Sequence, residues 1–375
     1  MHIAFNAQRL AEQRLGVGRY IEYMLRYWAG MLAPDERVTA FLRRPLTSAS
    51  EKYLKLPASI APRVLGPDVS GIPWENIALR GPASDCDVLF CPAYTSPVGY
   101  KRPLVVATHS ANDIHPGAHP WWHRFTYDWL IHRSARVADA IIVASESARQ
   151  DIAHHWGIPA ERMTVVLQGA DDVFRPMDDA AALSAVRRRY FGGDRPYILF
   201  VGKASARRNI PMLLEAYAKV RHEAKIPHGV LLFGPNHLNL PLADISAKLG
   251  IVGDVVQTDG KIDDHSDLVP IYNGADVFVH PSEYEGWSMT TVEAMACGTA
   301  VIAANRGGLG EAANGHAYML DAPSVDSLAD ALTKVLGDTA LRQDLKKRAR
   351  ARGGALTWHD TTLQTLNVIR AVARN

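Results

Sequence analysis

The chain has 375 residues, 47% of them apolar and 21% charged, which excludes a disordered protein and is long enough for two or three domains. Lys and Arg number 41 against 39 Asp and Glu, and a net charge of +2 provides no overall field for holding nucleic acid. Three cysteines, Cys86, Cys91 and Cys297, are too few for a disulfide framework and read as small buried hydrophobes in a reducing compartment.

Short apolar strands alternate with helical patterns from end to end, as in parallel α/β sheets. The chain opens on His2-Ile3-Ala4-Phe5, a first strand rather than a signal peptide. Further strands are predicted at 37–42, 87–90, 103–108, 139–144 and 162–167, with helices at 17–32, 121–137 and 145–156. Strand 139–144 shows almost no polar alternation, as expected when both faces are covered. Ser145 follows it at an N-cap position, with Ala148 where a full capping box would carry Glu. Glycines, prolines and clustered charges at 169–195 predict a linker with one short helix. A second series has strands at 197–201, 229–233, 254–257, 276–280, 300–303 and 316–319, and helices at 209–225, 289–296, 324–336 and 338–352. A last amphipathic helix is predicted from Trp358 to Ala373. The expected architecture is two doubly wound α/β domains, 1–180 and 193–355, with ligands at the carboxyl ends of both sheets in one cleft. No run reaches the ~18 apolar residues that cross a bilayer, so a cytoplasmic protein with at most peripheral membrane contact is expected.

Four segments carry candidate chemistry. In Val279-His280-Pro281-Ser282-Glu283-Tyr284-Glu285-Gly286-Trp287-Ser288-Met289 a strand runs through a glycine-containing loop into a helix that continues as Thr290-Thr291-Val292-Glu293-Ala294-Met295-Ala296-Cys297-Gly298. Loop amides and the helix N-terminus make an anion site there. Glu285 before the helix and Glu293 on it suit a ligand with hydroxyls at both ends of a pyrophosphate; the plainer alternatives are a loop cap and a solvated helix residue. Gly202-Lys203-Ala204-Ser205-Ala206-Arg207-Arg208-Asn209 places three cations between a strand end and a helix start, where they grip phosphate or simply face solvent. Gly16-Val17-Gly18-Arg19-Tyr20, after Leu15, is a short glycine turn that completes no dinucleotide fingerprint. His109 ends strand 103–108, on the side where α/β sheets bind ligands.

The segment from Pro281 to Gly298 resembles the E-x7-E signature of retaining glycosyltransferases with the GT-B fold, and Glu293-Ala294-Met295-Ala296-Cys297-Gly298 matches its tail closely. Trp287 and Ser288 stand where the family usually has Phe and Gly, and Thr299-Ala300-Val301 replaces Thr-Pro-Val. The resemblance runs along nearly the whole chain. It implies two Rossmann-like domains facing across a cleft, the first binding the acceptor and the second the nucleotide-sugar, with a C-terminal helix (356–375) returning to the first domain. It implies that Glu285 contacts the donor sugar and Glu293 the ribose, and that Lys203 and Arg208 hold the pyrophosphate beside Arg207 and Gly202. Gly286, Trp287, Ser288 and Met289 line the phosphates, Ile262 lies in the loop near the base, and Gly16 and Gly18 approach the cleft. His109 packs on the donor sugar and counts, with Glu285, Lys203 and Arg208, among the catalytic residues.

The activity so implied is a retaining hexosyl transfer to a hydroxyl of a glycan or lipid-linked acceptor in bacterial polysaccharide assembly. GDP-mannose leads as donor and UDP-glucose follows; no metal and no cofactor is required. An inactive sugar-nucleotide-binding regulatory subunit is the alternative from another class. A phosphorylase would need a pyridoxal-binding lysine segment, and a dehydrogenase a full glycine fingerprint; neither is present. Asp85-Cys86-Asp87 resembles a metal-binding D-x-D but precedes its strand, so it reads as a strand-entry turn. His109, His115, His119 and His123 are interrupted by Pro116, Gly117 and Pro120, against a zinc helix. The aromatic stretch Trp121 to Leu130 reads as a packing helix or a membrane contact, and the basic run Lys346 to Arg352 as a solvated helix face.

Overall fold

In a computed structural model that describes residues 1–11, 16–69, 71–111, 126–262 and 264–374, the chain divides into two α/β units. The first is Met1–Gln168 together with the residues from Trp358 onward, and the second is Gly169–Thr357.

The first unit holds a seven-stranded parallel sheet. Its strands are β1 (His2–Asn6), β2 (Arg37–Leu42), β3 (Ile60–Val64), β4 (Val88–Cys91), β5 (Leu104–Thr108), β6 (Ala140–Val143) and β7 (Met163–Val165), in the order β3-β2-β1-β4-β5-β6-β7. The order reverses between β1 and β4, so the loops leaving these neighbours diverge and open a crevice at their carboxyl ends. Strands β4 and β5 are buried along their whole length and read as unbroken apolar runs. The unanticipated β3 is an edge strand with four of five residues exposed and Pro62 at its centre, so it shows no apolar period. Ser145 caps helix Glu146–Trp156 by accepting the Ala148 amide at 3.0 Å, as its sequence position suggests. Of the aromatic stretch, helix Tyr127–Val137 is described; residues 121–125, His115, His119, His123 and Leu15 lie outside the described residues.

The last helix, Trp358–Ala373, packs on helix Val17–Trp28 of the first unit. Trp28 Nε1 donates to the Thr362 carbonyl at 3.0 Å, and the Trp358 ring lies 4.7 Å from Tyr23. Arg370 binds Glu36 through Nη2 at 2.6 Å, and that pair holds the Glu36 carboxyl below its usual range.

The second unit holds six parallel strands: β8 (Tyr197–Val201), β9 (Gly229–Phe233), β10 (Val255–Thr258), β11 (Val277–His280), β12 (Val301–Ala304) and β13 (Tyr318–Leu320). Their order is β10-β9-β8-β11-β12-β13, with the reversal between β8 and β11. The chain enters and leaves this unit side by side. The Ala170 amide donates to the Leu356 carbonyl at 2.9 Å, and Gly169 lies so close to Thr357 that a Cβ would strike its backbone. The helix expected within the linker is Ala180–Phe191, capped by Asp179, and it belongs to this unit. All three cysteines are free and buried. Among the described residues, no helix is long and apolar enough to cross a membrane. Asp87 enters β4 by accepting the His2 amide at 2.7 Å, which makes Asp85-Cys86-Asp87 part of a strand-entry turn.

Candidate active site

Gly202 directly follows strand β8; its φ of 147° is one an L side chain rarely adopts, and the Arg208 guanidinium occupies the place a Cβ would take. Gly234, after β9, lies so close to the Gly202 carbonyl that a Cβ would strike it, and a Cβ on Gly260, after β10, would strike Gly234 Cα. Three adjacent strands thus end in a ledge of bare backbone. Side chains are excluded there by contact rather than by turn geometry alone.

The loop after β8 carries the cations and meets the loop after β11. Arg207 Nη1 lies 2.8 Å from Glu285 Oε2 and donates to the Tyr284 carbonyl, while Arg208 Nε lies 3.2 Å from Glu285 Oε1. The backbone joins the same loops, since the Glu283 amide donates to the Arg207 carbonyl at 2.9 Å. Ser282 Oγ donates to Glu285 Oε1 at 3.3 Å. Glu285 is buried; burial by itself would raise its pKa, but the charges of Arg208 and Arg207 outweigh it and hold the carboxyl well below the usual range. The Lys203 side chain is exposed, and its carbonyl accepts from Arg208 Nη1 at 3.1 Å.

Ser288 caps helix Met289–Ala296 by accepting the Thr291 amide, and its hydroxyl also meets His280 Nδ1 at 2.9 Å. Burial lowers the pKa of His280. Gly286, Trp287 and Ser288 are buried in the turn that aims the helix N-terminus. Glu293, one turn deeper, is fully buried and accepts from the Tyr272 hydroxyl at 2.9 Å, which rules out a solvated helix residue. Ile262 lines a pocket of about 440 Å³ with Tyr190, Phe233, Asp267 and Ile271.

The remaining expected residues lie in the first unit. Gly16, with φ of 51°, is the N-cap of helix Val17–Trp28, and buried Gly18 lies in its first turn. That turn delivers Tyr20, whose ring stands edge-on to His109 at 4.7 Å; Tyr94 approaches the same ring at 5.4 Å. The Pro92 carbonyl is an acceptor only, so His109 Nε2–H donates to it at 2.8 Å, which leaves Nδ1 to accept the Gln168 amide at 3.1 Å. Burial pushes the His109 pKa down to about 4, so the ring is neutral near pH ~7.

Sequence reasoning singled out Glu285, Arg207 and Arg208, which converge, and missed Tyr272, Gly234 and Gly260. It also missed Tyr20, Tyr94 and Gln168 around His109. Gly234 follows a fully buried strand, and that position was the available signal.

Two family models match the chain: Glycosyl transferases group 1 over residues 186–352 and Glycosyltransferase Family 4 over residues 15–174. The O-antigen chain mannosyltransferase B of Escherichia coli is 27% identical over 240 residues, 64% of this chain and 62% of that protein. The chain therefore spans less than two thirds of that relative's length. Among solved structures, sucrose-phosphate synthase from Thermosynechococcus elongatus aligns with a TM-score of 0.79 at 20% identity, over 99% of this chain and 98% of the other. The Anabaena protein HepE, solved with UDP and glucose, aligns with a TM-score of 0.79 at 18% identity, over 99% and 100%. At these identities the solved structures speak for the fold alone.

Proposed function

Since the chain belongs to the group 1 glycosyltransferases with the GT-B fold, we propose that it moves a hexosyl group from a sugar nucleotide to a hydroxyl acceptor, with retention at the anomeric carbon and without a divalent metal. The observation that carries this reading is the Arg207–Glu285–Arg208 cluster beside the N-terminus of helix Met289–Ala296. Three cations, counting Lys203, against one carboxylate leave a charge of +2 for a pyrophosphate. The helix N-terminus adds about half a charge.

Loss of the nucleoside diphosphate builds negative charge on its β-phosphate. Lys203, Arg207, Arg208 and the amides of 286–289 stabilise that charge without reorganising, which is where catalytic electrostatics is strongest. The acceptor attacks the oxocarbenium-like sugar from the face the phosphate is leaving, and the departing phosphate oxygen takes the acceptor proton. Glu293, oriented by the Tyr272 hydroxyl, holds the ribose; Glu285 and the neutral His109 face the sugar. Ile262 and its loop meet the base, on the Gly202–Gly234–Gly260 ledge, and Gly16 and Gly18 keep their turn bare of side chains. In this reading the first unit binds the acceptor and the second the donor.

The likeness to a protein named O-antigen chain mannosyltransferase B supports mannose as the sugar moved; GDP-mannose as donor, a glycan or lipid-linked acceptor in bacterial polysaccharide assembly and a place at the cytoplasmic face of a membrane complete this reading. UDP-glucose is the second donor of this reading. A panel of sugar nucleotides, scored in EDTA for hydrolysis and for a rise in Tm, tests the reading. GDP-mannose should give the largest rise and the fastest hydrolysis; a panel in which no sugar nucleotide shifts Tm overturns it.

A further inference from the structure

Glu75 is a buried carboxyl group of the first unit to which the proposed reaction gives no part. It opens the π-helical turn Glu75–Leu79, a geometry that recurs at functional sites, and is completely buried. Its Oε1 accepts three hydrogen bonds, from Asn6 Nδ2 at 2.9 Å, Gln8 Nε2 at 2.7 Å and Thr95 Oγ1 at 2.9 Å. Among the described residues its Oε2 has no hydrogen-bond partner. The donors come from the end of β1, the turn after it and the loop after β4, so one carboxylate oxygen ties together the carboxyl ends of two neighbouring strands.

The loop after β4 also holds His109. Its Pro92 carbonyl accepts His109 Nε2–H, and its Tyr94 packs on the imidazole. Tyr94 has φ of 69°, a left-handed conformation that a bulky side chain keeps only where its surroundings impose it. Three contacts impose it here. The Tyr94 amide donates to the Ala107 carbonyl at 3.0 Å, Thr95 is bound to Glu75, and the Ser96 amide donates to Ser134 Oγ at 2.9 Å. Thr95 is thus the link between a buried acid and a strained residue that touches a proposed catalytic ring. Burial pushes the Glu75 carboxyl up to about 7, against the bonds from Thr95, Asn6 and Gln8 and the charge of Arg9, and such perturbed groups concentrate at functional sites.

We propose that Glu75 is a positioning residue for His109. Acting through Thr95, it holds the loop from Pro92 to Ser96 so that the Pro92 carbonyl fixes the imidazole tautomer and Tyr94 fixes the ring's orientation. This rests on the reading that His109 meets the donor sugar.

The test uses full-length chains carrying Thr95→Val, Glu75→Leu and Glu75→Gln. Imidazole resonances of ¹⁵N-histidine-labelled protein, with His109 assigned by its loss in His109→Ala, report tautomer and packing independently of activity. GDP-mannose hydrolysis reports kcat and KM. Thr95→Val and Glu75→Leu should shift the His109 resonances and lower kcat about tenfold while KM stays within about twofold, a cost typical of misplacing a catalytic group. Glu75→Gln, which keeps the acceptor at Oε1, should restore both readouts to near wild type. Thr95→Val removes a single hydroxyl, so it decides the matter even where Glu75→Leu fails to fold. Wild-type resonances and kcat in folded Thr95→Val overturn the proposal. If the wild-type chain turns over no sugar nucleotide, the functional reading fails, while the resonances still decide whether Glu75 positions His109.

Discussion

Glu285 and Glu293 are both buried, but they answer to different partners, and their loss should register differently. Glu285→Ala leaves two guanidiniums facing each other without the carboxylate between them, a change that costs about 3 kcal/mol when the ions are largely desolvated. Turnover should fall at least ~100-fold through the lost electrostatic preorganisation, and Tm should fall as well. Glu293→Ala removes the acceptor of the Tyr272 hydroxyl and should weaken nucleoside diphosphate binding about tenfold, read by calorimetry, with a smaller effect on kcat. If both variants lose only nucleotide affinity, the placement of Glu285 by the sugar is wrong. Glu75 gives a pH prediction of definite sign. Its folded pKa of about 7 lies above the unfolded value, so between the two the folded chain holds the extra proton. Stability should therefore decline as pH rises from about 5 to about 7, by up to about 3 kcal/mol, and level off above. Glu75→Gln should remove that slope in a Tm–pH series. The setting of Glu75 was not legible in the sequence because its partners Asn6, Gln8 and Thr95 stand 69, 67 and 20 positions away. Arg207, Arg208 and Glu285 stood out because each lies in a short strand-to-helix loop, but that the two loops meet and pair these side chains was not legible in the sequence.

At the scale of the element, the ledge formed by Gly202, Gly234 and Gly260 positions the site. Gly234→Ala would drive a methyl group into the Gly202 backbone, which cannot yield as a flexible side chain would. It should cost about 2 kcal/mol of stability, as overpacking does, and weaken donor binding, measured by calorimetry on the folded variant. Buried strands such as β4, β5, β8 and β11 were legible from unbroken apolar runs of β-branched and aromatic residues. Edge strand β3 was not, because exposure and Pro62 erase its pattern. The helix Trp358–Ala373 was legible as an amphipathic stripe, and its return to the first domain was expected from the family resemblance rather than from spacing, whereas its seat on helix Val17–Trp28 was not.

For the whole molecule, the last helix completes the first unit although all of the second unit precedes it in the chain. Truncation after Gly354 removes Trp358 from the Tyr20 and Tyr23 rings and Arg370 from Glu36. The truncated chain should bind an apolar dye at the uncovered first unit and lose turnover, while the second unit, whose core is separate, still binds nucleotide weakly. Near-full turnover and unchanged melting would show that the helix is dispensable. The division into two doubly wound halves was legible because strand and helix patterns restart after residue 195; neither donor base nor acceptor was, since backbone contacts leave little trace in side-chain identity. The central claim is that fixed cations and helix amides carry the leaving group, so that the hexosyl group is transferred with retention and without a metal. The most direct measurement is proton NMR of the first sugar released or transferred from GDP-mannose by the full-length enzyme in excess EDTA, recorded before mutarotation. The account predicts an α-configured product at undiminished rate; a β-configured product, or turnover that appears only when manganese or magnesium is restored, would contradict it.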